Sequence, residues 1–147
     1  MTKTDYDTDF DAWLQAQVAA LRARQWDALD VEHLVEEVEE LRKTEQRGVR
    51  SQLRLILSHI LKWVYQPEKR TDSWRSTIAN GRVLVQEDLA DSPTLARELD
   101  TLAAWAYPRA RRDAAKETGL PLATFPETCP WVLDQVLDED FWPEQSA

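Results

Sequence analysis

The sequence predicts an all-α protein: a single-domain irregular helical bundle around one long central helix, with a Pro/aromatic-rich C-terminal tail packed across it. Three observations point there. Apolar residues recur every three or four positions through most of the chain, the period of a helix with one buried face. Alternating β-branched runs bounded by turn dipeptides are nearly absent, and there are three glycines in 147 residues, which leaves little room for hairpins or phosphate-cradling loops. The hydrophobic share is 43% with seven Trp, too apolar for a disordered chain and enough for a core without staples.

The first helix is expected from about Thr8 to Gln25, with Thr8 as N-cap and Asp11 three residues on as its capping-box-like partner. Phe10, Trp13, Leu14, Val18 and Leu21 share a face. Trp26 to Leu29 turns the chain. Asp30 then caps a very long helix to about Tyr65, roughly 50 Å if unbroken at 1.5 Å per residue. Val31, Leu34, Val35, Val38 and Leu41 form the apolar side of its first half. Leu53, Ile56, Leu57, Ile60, Leu61 and Val64 repeat the pattern in the second half. Gly48 lies between the halves and marks a candidate bend, although one glycine costs a helix only about 1 kcal/mol. Gln66-Pro67 ends it.

A third helix starts at Asp72 or Ser73 and reaches about Leu89, with Trp74, Ile78, Val85 and Leu89 on one face. Ser92-Pro93 opens the fourth, an N-cap followed by proline at the first helical position. Leu95, Leu99, Leu102 and Ala106 line its buried side. Pro108 is expected to kink or break it, by removing a hydrogen bond and clashing with the preceding turn. Helix then resumes to Thr118, where Gly119 supplies a stop. In the tail, Pro130 opens a short helix through about Leu137, among Phe125, Trp131, Phe141 and Trp142.

The net charge of −9 hides a block pattern. Residues 1–40 carry 3 basic and 11 acidic side chains, residues 41–82 carry 10 and 3, and residues 83–147 carry 5 and 13. Nucleic acid is repelled at long range, though a local basic stripe can still bind an anion. The plainer expectation is that the basic middle neutralises its acidic flanks. One cysteine, Cys129, excludes an intrachain disulfide framework and a Cys-rich zinc site. No stretch approaches 18 apolar residues, and the acidic N-terminus lacks the order of a signal peptide. A cytoplasmic protein without membrane association is expected, with no cofactor and no metal assigned.

Three groups of residues carry candidate chemistry. The first is the acidic helix His33, Glu36, Glu37, Glu39 and Glu40. His33 and Glu37 are four apart and in reach of one cation. The glutamate pattern is similar to that of all-α nucleotide pyrophosphohydrolases, whose carboxylates hold magnesium. Those enzymes need a second acidic pair on a neighbouring helix, and here the following stretch is basic. The plain alternative is a solvated face with a Glu39–Lys43 pair.

The second group lies in the basic middle. Arg47, Arg54, Ser58 and Lys62 form a stripe beside the buried face, and His59 sits between Leu55 and Trp63 on a flanking face. Arg75 and Arg82 are seven apart on the next helix, about 10 Å along its axis, and the turn adds Lys69 and Arg70. If these helices pack antiparallel, His59, Lys62, Trp63, Trp74 and Arg75 converge near the turn. Arginine forks, a lysine point charge and indole faces suit a phosphate, a nucleotide or single-stranded nucleic acid. The anion-binding candidates are Lys62, Trp63, Trp74, Arg75 and Arg82; the catalytic candidates are His59, Lys62 and Glu37. Against this, Trp63 and Trp74 at helical spacing are core residues first, a lone histidine commonly bonds a backbone carbonyl, and Arg75 and Arg82 have acidic blocks to pair with. The third group is Cys129 before Pro130, where a helix N-terminus lowers a thiol pKa; a small buried apolar residue is the plain alternative.

Six segments stand in an order that resembles one family: Asp9-Phe10-Asp11-Ala12-Trp13-Leu14, Leu34-Val35-Glu36-Glu37-Val38-Glu39, His59-Ile60-Leu61-Lys62-Trp63, Ser73-Trp74-Arg75-Ser76-Thr77-Ile78, Glu117-Thr118-Gly119-Leu120, and Phe125-Pro126 with Cys129-Pro130-Trp131. The family is an uncharacterised bacterial group, domain of unknown function 29 (DUF29), and the likeness covers residues 6–143 as one helical domain. It implies a small all-helical bacterial protein and supplies no activity. Pro108 departs from the family's usual run after Tyr107. Two classes of function remain. One is a non-catalytic adaptor or regulatory protein that binds another macromolecule, favoured because no complete catalytic set is readable and the charge blocks suit a complementary surface. The other is a phosphate-ester hydrolase or nuclease with His59 as acid/base, Lys62 and Arg75 on the phosphate and Glu37 assisting. The partner is accordingly another protein or a phosphate-bearing ligand.

Overall fold

The computed structural model describes residues 5–144, and every regular element among them is helical. In order these are α1 (Asp5–Thr8), α2 (Phe10–Arg22), α3 (Val31–Tyr65), α4 (Asp72–Asp91), α5 (Pro93–Arg97), α6 (Leu99–Thr118) and α7 (Leu133–Val136). Single 3-10 turns at Trp26–Ala28, Pro67–Lys69 and Leu122–Thr124 join them. The chain forms two compact units, Met1–Thr44 and Glu45–Ala147.

The first unit is a hairpin of α2 and the start of α3. Asp9, not Thr8, caps α2: its carboxylate accepts from Ala12 N–H at 3.1 Å, while Thr8 ends the short α1. Asp30 caps α3 as expected, accepting from His33 N–H at 3.4 Å. Asp30 is also the centre of the seam. Its Oδ2 accepts from Trp13 Nε1 (3.0 Å) and His33 Nδ1 (2.6 Å), and its own N–H donates to Gln17 Oε1 (2.8 Å). Further along, Tyr6 donates to Glu37 at 2.5 Å and stacks on the His33 ring at 3.9 Å. On α2, Gln17 meets Asp30 while Trp13, one turn earlier, meets both Asp30 and His33, so the helices run antiparallel.

The seam is therefore polar and aromatic; of the apolar faces expected to be buried, Trp13 is inside while most of the leucines and valines are not. Phe10, Leu14, Val18 and Leu21 on α2, and Val31, Val35, Val38 and Leu41 on α3, are between 37% and 68% exposed. The periodicity was right and the covering surface is missing from the hairpin. On each helix the apolar stripe centres about 90° from the face turned to the seam, at 100° per residue. Because the helices are antiparallel, both stripes lie on the same side of the hairpin.

The second unit buries its apolar stripes inside. Leu53, Ile56, Leu57, Ile60 and Leu61 of α3 meet Ile78 and Val85 of α4, Leu102, Ala106, Ala110 and Ala114 of α6, and Phe125, Val136 and Leu137 of the tail. Gly48 lies within α3 without ending it. α4 packs antiparallel to this half of α3: Gly81 faces Ile56, and Trp74 faces Lys62. A Cβ on Gly81 would stand 2.7 Å from Ile56 Cγ1, so the glycine permits this approach. Thr71 caps α4, accepting from Trp74 N–H at 3.1 Å. Ser92 and Pro93 open α5 as expected, and the break falls at Glu98 rather than Pro108. α6 runs through Pro108, which lies on its exposed side; in that turn Arg109 Nη1 donates to the Trp105 carbonyl at 2.8 Å. Gly119 ends α6 at φ 75, in the left-handed region that favours glycine. The last helix begins at Leu133, three residues later than expected from Pro130.

Arg82 departs most from its expected place. It does not share an open stripe with Arg75 but is fully buried, donating from Nε to the Val136 carbonyl (2.8 Å) and from Nη2 to the Phe141 carbonyl (2.7 Å). It fastens the tail to α4. The acidic C-terminal block meets the basic middle as the charge pattern implies. Arg54 forks onto Asp113 at 2.6 and 2.8 Å, and Lys62 meets Glu117 at 2.8 Å. The Arg54 fork holds the Asp113 carboxyl below the ordinary range, and the same pairing raises Arg54.

Candidate functional site

The turn between α3 and α4 gathers most of the residues the sequence singled out. Antiparallel packing brings Lys62 Nζ to 4.9 Å from the Trp74 ring centroid and the Arg75 guanidinium carbon to 5.1 Å from that of Trp63. Lys62 is buried, and its ammonium is already committed to Glu117. Arg75 is exposed on α4 and rests on two indoles, being 4.8 Å from the Trp142 centroid as well. Arg70, from the turn itself, donates from Nε to the Trp63 carbonyl at 2.8 Å and places its guanidinium carbon 4.6 Å from the Trp63 ring. Trp63 and Trp142 lie 5.0 Å apart. A shallow cavity of about 330 Å³ opens here, lined by Trp63, Arg70, Thr71, Asp72 and Arg75.

His59 is half-buried on the flank of α3. Its Nδ1 donates to the Leu55 carbonyl at 2.9 Å and lies 3.4 Å from Ser58 Oγ. Burial lowers its pKa, the carbonyl bond opposes that, and the Lys62 charge lowers it further. The ring is therefore neutral at pH 7, with Nδ1 protonated and Nε2 left as the basic nitrogen. Glu37 belongs to the N-terminal unit, where it serves Tyr6. His33 Nδ1 bonds Asp30 and Glu37 accepts from Tyr6, so each of the two already has a protein partner. Among the described residues no group of three His, Cys, Asp or Glu side chains is placed to hold a metal ion.

A larger cavity of about 460 Å³ lies elsewhere in the second unit, with Leu57, Ala103, Tyr107, Cys129, Trp131 and Leu133 in its wall. Cys129 donates its thiol proton to the Trp131 carbonyl at 3.3 Å, and burial pushes its pKa up. That is a thiol kept protonated, not a helix-activated nucleophile. Tyr107 donates to the Pro126 carbonyl at 2.6 Å, and burial raises its pKa strongly.

Sequence reasoning placed Trp63, Trp74 and Arg75 together and noted Arg70 in the turn. It did not foresee Trp142 and Glu144, which reach the cluster from the tail and have no periodic signal to betray them. Arg70 Nη1 lies 3.6 Å from Glu144 Oε1.

Fold and site define a helical protein, without strands among the described residues, that displays a cationic, indole-lined cluster and an uncovered apolar hairpin. No helix among these residues is long and apolar enough to cross a membrane. The chain belongs to the family described as Domain of unknown function DUF29, whose model matches residues 6–142. No curated protein and no solved structure matches it.

Proposed function

We propose that the protein is a non-catalytic adaptor whose N-terminal hairpin receives an amphipathic helix with basic flanks from another protein. The single observation that carries this reading is the apolar side of the hairpin. That side offers on the order of 700 Å² of apolar side chain at ordinary side-chain areas. The largest apolar patch of a typical monomer is about 300–600 Å², and a stable interface takes about 800 Å² per partner. Two apolar stripes on one side are a surface that an amphipathic helix can meet with anchors at i, i+3, i+4 and i+7.

Charge selects among occupants. Residues 1–44 carry 11 acidic and 5 basic side chains, so a second copy of this hairpin is repelled while a basic helix is attracted. Catalysis is the weaker reading of the same molecule, because Lys62 is neutralised by Glu117 and Glu37 is engaged by Tyr6.

The test titrates the full chain with a designed Leu/Lys amphipathic helical peptide and with its Leu/Glu counterpart, while light scattering records the mass of the free chain across concentrations. The expected result is a monomer that binds the Leu/Lys peptide and not the Leu/Glu one. The neutral substitutions Leu14→Asn and Val38→Asn should weaken binding at least tenfold while helical content is unchanged. A chain that is dimeric on its own, and that those substitutions dissociate, overturns the reading in favour of a second copy. Binding indifferent to those substitutions overturns it as well.

A further inference from the structure

We propose that the turn between α3 and α4 is an oxyanion site that takes a phosphate group between Arg70 and Arg75, against the edge of Trp63. Two guanidiniums rest on one indole, 4.6 and 5.1 Å from its centroid, so they lie within about 10 Å of each other, a separation that ordinary salt screens only partly. Arg75 has ring contacts but no hydrogen bond or ion pair among the described residues. An anion between the two cations relieves their repulsion and supplies the missing acceptor.

The second observation is independent of charge. Four buried side-chain polar atoms among the described residues have no hydrogen-bond partner, and two belong to residues that line this cavity: Trp63 Nε1 and Arg70 Nη2. Trp63 is only 6% exposed and forms part of the cavity wall. Both atoms are donors. Leaving a buried donor unmet forfeits its hydration without return, so two on neighbouring side chains are uncommon in a folded protein. A group made only of acceptors answers these donors, and tetrahedral phosphate offers oxygens in several directions where a carboxylate offers two in one plane. The cavity of about 330 Å³ is large enough for a phosphate with a small attached group.

Two carboxylates bear on the site. Asp72 sits on the rim in the first turn of α4, where it favours the helix N-terminus. Glu144 lies 3.6 Å from Arg70 and is 81% exposed, so it holds one guanidinium loosely and yields to a better anion. Glu144 is thus a built-in competitor, and its removal should tighten binding.

The test follows tryptophan indole N–H signals of the ¹⁵N-labelled full chain by NMR, with Trp63 assigned through Trp63→Phe, during titration with inorganic phosphate at constant ionic strength made up with chloride. A saturable shift of the Trp63 indole is expected. Arg75→Gln, at an exposed position, should weaken it at least tenfold with the other indoles unmoved, Glu144→Gln should tighten it two- to fivefold, and Arg97→Gln should change nothing. AMP in place of phosphate separates the sources: equal affinity marks the free ion, and tenfold tighter AMP marks an esterified phosphate. No saturable shift, an equal shift with chloride alone, or a shift that survives Arg75→Gln overturns the proposal.

Discussion

In the N-terminal hairpin the residues that touch across the seam are Tyr6, Trp13, Gln17, Asp30, His33 and Glu37, while leucines and valines face outward. In the second unit the arrangement is reversed: Leu53, Ile56, Leu57 and Ile60 are inside, and the charged residues pair with one another or fasten the tail. The same helical period serves both. The difference teaches that a period names the face that needs covering, not the surface that covers it. The second unit finds its cover in α4, α6 and the tail. The hairpin holds itself together with directional hydrogen bonds to one carboxylate and leaves its nonpolar side available.

The largest expected effect compares the two stripes directly. Leu57→Ala should cost about 3 kcal/mol in urea unfolding, because it removes buried methyls and leaves a cavity. Val38→Ala, at 63% exposure, should change stability by less than about 0.5 kcal/mol. Equal costs at the two sites would break the comparison. The next test probes how tightly the interior closes. Gly81→Ala should destabilise by about 1 kcal/mol, since the new Cβ displaces Ile56 by more than the gain in helix propensity returns. Gly48→Ala, with nothing within 4 Å, should stabilise by about 0.5–1 kcal/mol. A stabilising alanine at position 81 would show that α3 and α4 are not in close contact.

The smallest effect is a pH dependence of the hairpin. The hydrogen bond that His33 donates to Asp30 raises the histidine pKa above its ordinary 6.5. Burial pushes Asp30 up, but the bonds from His33 and Trp13 outweigh it and hold the carboxyl below its ordinary value. The histidine contribution is complete below pH 6.5 and is lost as pH rises through the raised folded value. The carboxylate contribution is present above the unfolded value near 3.8 and is lost as pH falls through the lowered folded value. NMR titration should place His33 above 6.5, and Asp30→Asn should return it there. A histidine titrating at or below 6.5 in the unsubstituted protein would remove this account of the seam.

Most helix boundaries were legible because they rest on local chemistry. Asp30, Ser92-Pro93 and Gly119 act through their own backbone and one or two neighbours, and each does so here. Pro108 misled because a proline costs one hydrogen bond, and α6, with Ala106 and Ala110 buried on either side, tolerates that loss. Thr8 misled because Asp9 caps as well from the adjacent position. The convergence of Trp63, Trp74 and Arg75 followed from assuming an antiparallel hairpin. Arg82 and Trp142 could not be placed in that way. Their positions depend on where the tail crosses, and carbonyls 54 and 59 residues away leave no mark on a helical wheel.

Arg82 also sets an order of events during synthesis. Its helix is complete by Asp91, but the carbonyls that receive its guanidinium come from Val136 and Phe141. Until the ribosome has made those residues, the cation lacks its carbonyl partners and keeps its water, and the middle of α4 lacks the tail that covers it. The second unit therefore completes itself late, when a long loop closes and a charge leaves water in the same step.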